Sequence, residues 1–384
     1  MIKSFSNTSA DIQEHSAILY LPTPPQPEWY SKKIAGVPFL LRNLFALQKF
    51  GIKKLVLWTE EPMDVGLNKF LEEMKAEKRL ELSWSCERSL SSFSNESSFL
   101  VFCGSTLIDE FEPKTKIVRG NMNSLSFFPE SLKQISQKKE LYFLQSANSE
   151  QPYELQNEQD LKEAEDRLLK SGGLNNDSFM DRLVTRFISR QLTRKFLKTS
   201  FTPNQITFLS LFVGLVAALC FFVGGYQMGI AGAVLLLLSA WIDCTDGEVA
   251  RLKFMVSEWG AKFDIIADNI VHCFVFFSIG MGLFYSTGKP VFKYLGMLAV
   301  LGSFCSFIFL SKSILGKKAE ATKKSSPEPA KNDITDQLAN RDFTYFLFVL
   351  ALFGRLDVFI FLAAVGSNGF AIYLACRKSQ INSA

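Results

Sequence analysis

The chain has 384 residues, a formal net charge of +4, 48% hydrophobic residues and 37 phenylalanines. So small a positive charge gives no basis for nucleic-acid binding, and seven scattered cysteines without CxxC or Cys/His spacing argue against a zinc site or a disulfide framework. The mean hydropathy of +0.12 hides a division, because residues 1–200 are rich in Lys, Glu, Ser and Asn whereas 201–384 carry long apolar runs.

The opening MIKSFSNTSADIQEHSA has no apolar core of the kind a signal peptide needs, so the first half is expected to stay cytosolic. SAILYL (16–21) predicts a short strand. VPFLLRNLFALQKFG (37–51) predicts an amphipathic helix stopped by Gly, and KKLVLW (53–58) the next strand. LNKFLEEMKAEK (67–78) predicts a second helix, then RLELSW (79–84) and SSFLVFCG (97–104) two more strands. Such alternation implies a parallel sheet with helices on both faces, an α/β domain over residues 1–155. In order and texture, GVPFLLRNLFALQKFGIKKLVLWTEE and FLVFCGSTLIDE make this half similar to the sugar-nucleotide type of nucleotidyltransferase. That family cradles nucleotide phosphates in a Gly-rich, basic loop after its first strand. Here the loop is PTPPQPEW (22–29), whose four prolines have no N–H to offer. The family's metal-binding Asp is also missing, since Cys103-Gly104-Ser105 stands in its place. The domain is therefore expected to be catalytically degenerate, a scaffold, dimerisation or regulatory module.

Residues 156–201 read as a linker. Its first part predicts an amphipathic helix ending at Gly172-Gly173. Its second part interleaves Arg182, Arg186, Arg190, Arg194, Lys195 and Lys198 with Leu183, Phe187, Ile188, Leu192 and Phe196. A basic amphipathic helix leading into an apolar run is expected to lie on an anionic bilayer surface; the alternative is a solvated helix packed on its own domain.

Residues 202–384 hold six candidate transmembrane segments: 205–226, 228–250, 262–286, 290–312, 343–355 and 357–376. Thr202-Pro203-Asn204 has the composition of a helix start. The fifth segment is short, and residues 336–342 are candidates to extend it. Positive charge gathers after the second segment (Arg251, Lys253, Lys262), in the 313–342 loop and after the sixth (Arg377, Lys378). Both termini are therefore expected on the cytosolic side. KKAEATKKSSPEPAKND (317–333) reads as a mobile polar loop. The predicted fold is a six-helix multi-pass membrane protein preceded by a cytosolic α/β domain.

Between the second and third segments lie four aspartates. Asp243 and Asp246 are i, i+3 on one predicted helix, and Asp264 and Asp268 are i, i+4 on the next, so each pair projects from one face. A short connector makes the two helices antiparallel neighbours, and all four carboxylates can meet near the cytosolic boundary. Unpaired, they would repel one another and be poorly solvated. Protonation or bound cations would relieve this, and oxygen ligands without His or Cys suit Mg²⁺, Mn²⁺ or Ca²⁺ rather than zinc. Gly247 and Gly260 flank the acids where a bulky group would need close backbone approach, and Arg251 is a guanidinium suited to a diphosphate.

The pattern Asp243-x2-Asp246-Gly247-x2-Ala250-Arg251-x8-Gly260-x3-Asp264-x3-Asp268 resembles, at every spacing, the signature of the CDP-alcohol phosphotransferases. With the degenerate first domain, the chain is similar to the fused inositol-phosphate cytidylyltransferase/dialkyl-inositol-phosphate synthases. The resemblance implies that Asp243, Asp246 and Asp264 ligate a pair of Mg²⁺ or Mn²⁺ ions. Asp268 would complete the metal site and take the acceptor's proton. Gly247, Ala250, Arg251 and Gly260 would shape the CDP pocket, and Asn204 and Thr207 would face the cytidine. An alcohol would attack the phosphorus bearing the CDP-linked alcohol and release CMP, in phospholipid or polar-headgroup synthesis. The acceptor implied by the domain order is an inositol phosphate or another polyol phosphate, with glycerophosphate or a lipid alcohol as the second choice. Arg341 and Lys312 are tentative ligands for an acceptor phosphate; their alternative role is to mark the positive-inside boundary. His272, one turn past Asp268, reads as a core histidine, and Glu248 occupies a position the signature leaves free. Relatives with this core often pair, which makes a homodimer a further expectation. Two other readings stay open: a bifunctional enzyme whose first domain makes the CDP-alcohol from CTP, and a transporter using the acids as an ion relay.

Overall fold

A computed structural model describes residues 17–21, 27–59, 65–87, 98–105, 107–108, 116–119, 140–145, 155, 157–171, 184–321 and 342–382. The chain divides into two compact units, Met1–Gly172 with Leu252–Phe254, and Gly173–Arg251 with Met255–Ala384.

The first unit is built on β1 (Ala17–Tyr20), whose Ala17, Ile18 and Leu19 are fully buried. A strand covered on both faces reads as an unbroken apolar run, as SAILYL does. β1 pairs in parallel with β4 (Lys54–Trp58) on one side and β6 (Ser98–Cys103) on the other. β5 (Ser83–Glu87) extends the β4 edge in parallel, and β8 (Glu140–Gln145) the β6 edge. β7 (Lys116–Arg119) joins β8 antiparallel, giving the order 5-4-1-6-8-7. The predicted parallel sheet is present, with one antiparallel edge. Before the first long helix, β2 (Lys33–Ile34) and β3 (Val37–Pro38) form a hairpin across Ala35 and Gly36. Both turn residues have positive φ, 48° and 78°, as a two-residue type I′ turn requires. α1 (Phe39–Lys49) therefore begins two residues later than its periodicity suggested, after Pro38. α2 (Val65–Lys75) covers the next crossover. The strand expected over 79–84 starts at Ser83, since Glu77 accepts from Arg79 and holds the preceding residues in a turn. α3 (Glu158–Ser171) starts on Asn157, whose Oδ1 accepts from the Gln159 and Asp160 amides while Asp160 accepts from the Asn157 amide.

The second unit opens with α4 (Arg186–Leu197), followed by α5 (Pro203–Val223), α6 (Tyr226–Leu252), α7 (Glu258–Thr287), α8 (Val291–Ala321), α9 (Asp342–Leu352) and α10 (Leu356–Asn382). Among the described residues five helices are long and apolar enough to cross a bilayer, and a shorter apolar helix covers Phe343–Leu352. Their outward faces carry Phe208, Phe212, Leu219, Phe274 and Phe361, all exposed. An apolar exterior of this kind is stable against lipid.

The helix ends follow local chemistry. Thr202 and Gln205 form a capping box around Pro203 at the start of α5, as the composition predicted. α5 stops earlier than residue 226 because Gly224 and Gly225 adopt φ of 77° and 83°. α8 continues to Ala321, so Lys317 and Lys318 lie on a helical extension where a loop was expected; Ala, Lys and Glu are good helix formers. Residues 336–341 lie outside the described residues.

Lipid offers no hydrophobic drive for helices to associate, so small residues set their approach. A Cβ on Gly282 would overlap the Phe221 carbonyl oxygen where α5 crosses α7. Gly280 and Gly296 make a similar contact between α7 and α8, where a Cβ on either would lie 2.8 or 3.0 Å from the other's Cα. One apolar core runs through Phe221, Leu236, Val275, Ile279, Leu347 and Ile360. The substitution Gly282→Ala is expected to lower the melting temperature of the detergent-solubilised protein by several degrees, since overpacking of this kind costs about 1–3 kcal/mol; an unchanged thermal transition would refute the close crossing.

Candidate functional site

α6 and α7 bring three of the four predicted aspartates together. Carboxylate oxygens of Asp243, Asp246 and Asp264 all lie within 4.8 Å of one another. Asp243 and Asp246 are buried, at 4% and 6% exposure, and Asp264 is half-buried. Asp268 follows one turn later on α7, half-buried and outside this close group. Three charges at such separations repel by roughly 3–4 kcal/mol per pair at an effective dielectric near 20. That sum is comparable with the whole stability of a domain, so the cluster calls for counter-charge. Its donors are carboxylate oxygens alone, the set that suits a hard divalent cation.

α5 holds the α6 acids in place. Thr207 is buried and its hydroxyl donates to Asp246. Ser210 lies 3.4 Å from Asp243 Oδ1, and its carbonyl accepts from Ser239 at 2.7 Å. Thr207 thus serves a carboxylate, whereas Asn204 is exposed at the helix start. The N-terminus of α7 is capped by Ser257, whose hydroxyl accepts from the Gly260 amide at 3.0 Å. A Cβ on Gly260 would lie 2.9 Å from Ser257 Oγ and 3.0 Å from Asn204 Oδ1. That position accepts no side chain without displacing both neighbours, which is a physical reason for glycine in the signature. Arg251 folds back along α6 until its Nη1 lies 3.4 Å from where a Gly247 Cβ would be. Ala250 is half-buried on the same turn.

His272 packs edge-on to Phe343 at 4.9 Å and stacks on Phe276 at 6.3 Å, an aromatic setting in keeping with its reading as a core residue. Arg341 falls outside the described residues. Lys312 lies on α8, where the described structure covers the backbone only.

Several residues had no signal in the sequence pattern. Glu248 is 2% exposed and accepts from Arg186, Ser189 and Thr193 of α4. Tyr345 of α9 accepts from the Trp241 indole at 2.9 Å and shares a hydrogen bond of 2.8 Å with Thr185. These partners lie 55 to 160 residues apart in the chain, beyond the reach of any local periodicity. A cue was available on α4, where Arg186, Ser189 and Thr193 recur at helical spacing and make one face polar.

A family model described as CDP-alcohol phosphatidyltransferase matches residues 200–367. Residues 200–367 are thus similar to the CDP-alcohol phosphatidyltransferases. The chain is 32% identical over 115 residues to a bifunctional IPC transferase and DIPP synthase of Aquifex aeolicus, covering 29% of this chain and 26% of that protein. It is 34% identical over 128 residues to the protein of the same name from Thermococcus kodakarensis, covering 33% and 28%. An archaetidylinositol phosphate synthase of Pyrococcus horikoshii is 31% identical over 81 residues, covering 21% and 42%. The matched stretch thus spans about a quarter of the length of the two bifunctional relatives. Among solved structures, the Mycobacterium tuberculosis phosphatidylinositol phosphate synthase with CDP-DAG bound is 19% identical, with a TM-score of 0.37, over 50% of this chain and 92% of that one.

Outside the aspartate pattern, the structure gives Thr207 a measurable part. The variant Thr207→Val should leave the fold intact and weaken Mn²⁺ binding roughly ten-fold, because a hydrogen bond to a buried charged group contributes about 1.5–3 kcal/mol. Isothermal titration of Mn²⁺ into the purified protein reads this directly, and an unchanged affinity would show that the hydroxyl does not order Asp246.

Proposed function

We propose that the chain is a membrane-embedded CDP-alcohol phosphotransferase, passing a substituted phosphate from a CDP-alcohol to an alcohol acceptor and releasing CMP. The observation that carries this reading is the convergence of Asp243, Asp246 and Asp264 from two helices, with Arg251 five residues beyond Asp246 on α6. Asp243, Asp246 and Asp264 would hold the divalent cations, two in number and Mg²⁺ or Mn²⁺ by donor type. Bound there, they neutralise the diphosphate and stabilise the departing phosphate. Asp268, one turn further along α7, would complete the metal site and take the hydroxyl proton as the acceptor oxygen bonds to the phosphorus bearing the donor alcohol. The bond from that phosphorus to the bridging oxygen breaks, and CMP leaves with the electron pair. Arg251 would hold the diphosphate, and Gly247 and Gly260 would shape the pocket by letting Arg251, Ser257 and Asn204 pack close to the backbone. Ala250 and Asn204 border the cytidine, and Thr207 acts through Asp246.

The acceptor of first choice is an inositol phosphate or another polyol phosphate, supported by the names of the relatives and by basic residues near the cytosolic helix ends, Arg341 and Lys312. The chain would cross the bilayer six times, α9 being the short span, with both termini and the active site cytosolic; the lysines and arginines after α6 and at the end of α10 support that orientation. Residues 1–155 form the α/β domain, 156–201 the linker and 202–384 the catalytic domain.

For the first domain we favour a role other than nucleotide transfer. At the switch point between β1 and β6, where such sheets bind ligands, a Cβ on Gly104 would strike Leu21 at 2.5 Å and the Tyr20 carbonyl at 2.9 Å. Gly104 is packed tightly against the end of β1, and the four prolines of residues 22–29 have no N–H for a phosphate; both support a domain without a CTP site.

Metal-dependent CMP release from a panel of CDP-alcohols tests the main reading. Mg²⁺ should support release and EDTA abolish it, and Asp268→Asn should lose about 10²–10⁴-fold in kcat. A chain that releases no CMP with any donor refutes the assignment. Separately, full-length protein carrying Asp246→Asn should form no pyrophosphate from CTP and an alcohol phosphate; pyrophosphate release would make the enzyme bifunctional.

A further inference from the structure

The acids of α6 face two ways. Asp243 and Asp246 point toward α5 and α7. Glu248, two residues on, projects from the opposite side of the helix, roughly 200° around from Asp246 at 3.6 residues per turn. There it meets α4. Arg186 Nη1 donates to Glu248 Oε1 at 2.7 Å, Ser189 Oγ donates to the same oxygen at 2.9 Å, and Thr193 Oγ1 donates to Oε2 at 2.7 Å. Ser189 and Thr193 are fully buried, and the Arg186 and Glu248 side chains are 12% and 3% exposed. One turn after another, α4 presents a polar face to a single carboxylate.

A second anchor lies two turns back along the same face of α6. Trp241 is seven residues before Glu248 and donates to Tyr345 Oη, which also bonds Thr185 at the entry to α4. The two anchors are independent, and together they fix both the rotation and the axial position of α4 against α6. Replacing a buried ion pair by apolar residues of equal volume is often neutral or stabilising; the best-attested use of such a pair is to enforce register. The register enforced here is that of the α6 segment carrying Asp243, Asp246 and Arg251.

We propose that Glu248 is a positioning residue: clamped by Arg186, Ser189 and Thr193, it locks the juxtamembrane helix α4 to the back of the metal-binding turn and so holds Asp246 and Arg251 in their working geometry. This goes beyond the family signature, which leaves position 248 free, and it rests on the proposed function only for its kinetic readout. α4 becomes part of the catalytic apparatus without touching substrate. Its outward residues, among them Lys195 and Lys198, stay available to the membrane surface.

The test compares Glu248→Gln, Glu248→Ala, Arg186→Met and the exchanged pair Glu248→Arg with Arg186→Glu against the full-length protein, with Lys195→Gln on the exposed face of α4 as control. Three quantities are read in each: the Mn²⁺ dissociation constant, kcat and KM for CMP release, and the melting temperature. The expected result is that Glu248→Ala and Arg186→Met lower kcat at least ten-fold and weaken Mn²⁺ binding at least five-fold. KM for the CDP-alcohol should change less than two-fold, and the control should match wild type. Glu248→Gln, which keeps an acceptor but loses the charge, should fall between, and the exchanged pair should recover part of both losses. Hydrogen exchange should rise in α4 and in residues 243–251 together. If Glu248→Ala lowers only the melting temperature, with kcat and Mn²⁺ affinity unchanged, the clamp is structural and the proposal fails. If wild type releases no CMP, the functional reading fails, but Mn²⁺ affinity and coupled exchange still decide the clamp.

Discussion

Three carboxylates in close contact at the end of a pair of apolar helices set the terms for the rest of the second unit. Mutual repulsion would splay α6 and α7 if nothing else held them. The chain counters it by anchoring the acids through neutral donors and by locking the helices elsewhere. Thr207 and Ser210 reach Asp246 and Asp243 from α5. Below the site, glycine contacts bring α5 onto α7 and α7 onto α8 at backbone distance. Small residues do in lipid what large apolar ones do in water, because packing and not water exclusion is the available force.

This arrangement makes the site a property of helix ends. α7 starts on its Ser257 cap just before Gly260, and α5 starts on the Thr202 and Gln205 box just before Thr207. Both caps place a fixed first turn beside the acids, so side chains on those turns have little freedom. Preorganised groups of this kind need not rearrange when charge moves in the reaction. The Glu248 clamp adds a third rigid contact, on the opposite face of α6, from a helix that the sequence marked only as basic and amphipathic.

The first unit was largely legible from hydrophobic period. β1, β4 and β6 fall where short apolar runs predicted them, and the parallel pairing follows from the helices between them. What escaped was local. The hairpin at Lys33–Pro38 depends on positive φ at Ala35, a residue that does not announce a left-handed turn. The start of β5 depends on a turn closed by Arg79 and Glu77, an ion pair too short in sequence to carry a period.

For the second unit, the sequence alone determined which acids, glycines and helix starts come together along the chain. Spacing within one helix decides which side chains share a face, so the paired acids of α6 and α7, the glycine positions and the helix starts were visible without coordinates. Only the tertiary structure decided that three of the four aspartates form the close group, that Thr207 serves Asp246, and that Glu248 turns away to Arg186, Ser189 and Thr193. The physical reason is range. Helical period orders residues a few positions apart, whereas these contacts join separate helices, and which hydroxyl meets which carboxylate is settled by how those helices rotate and slide when they pack.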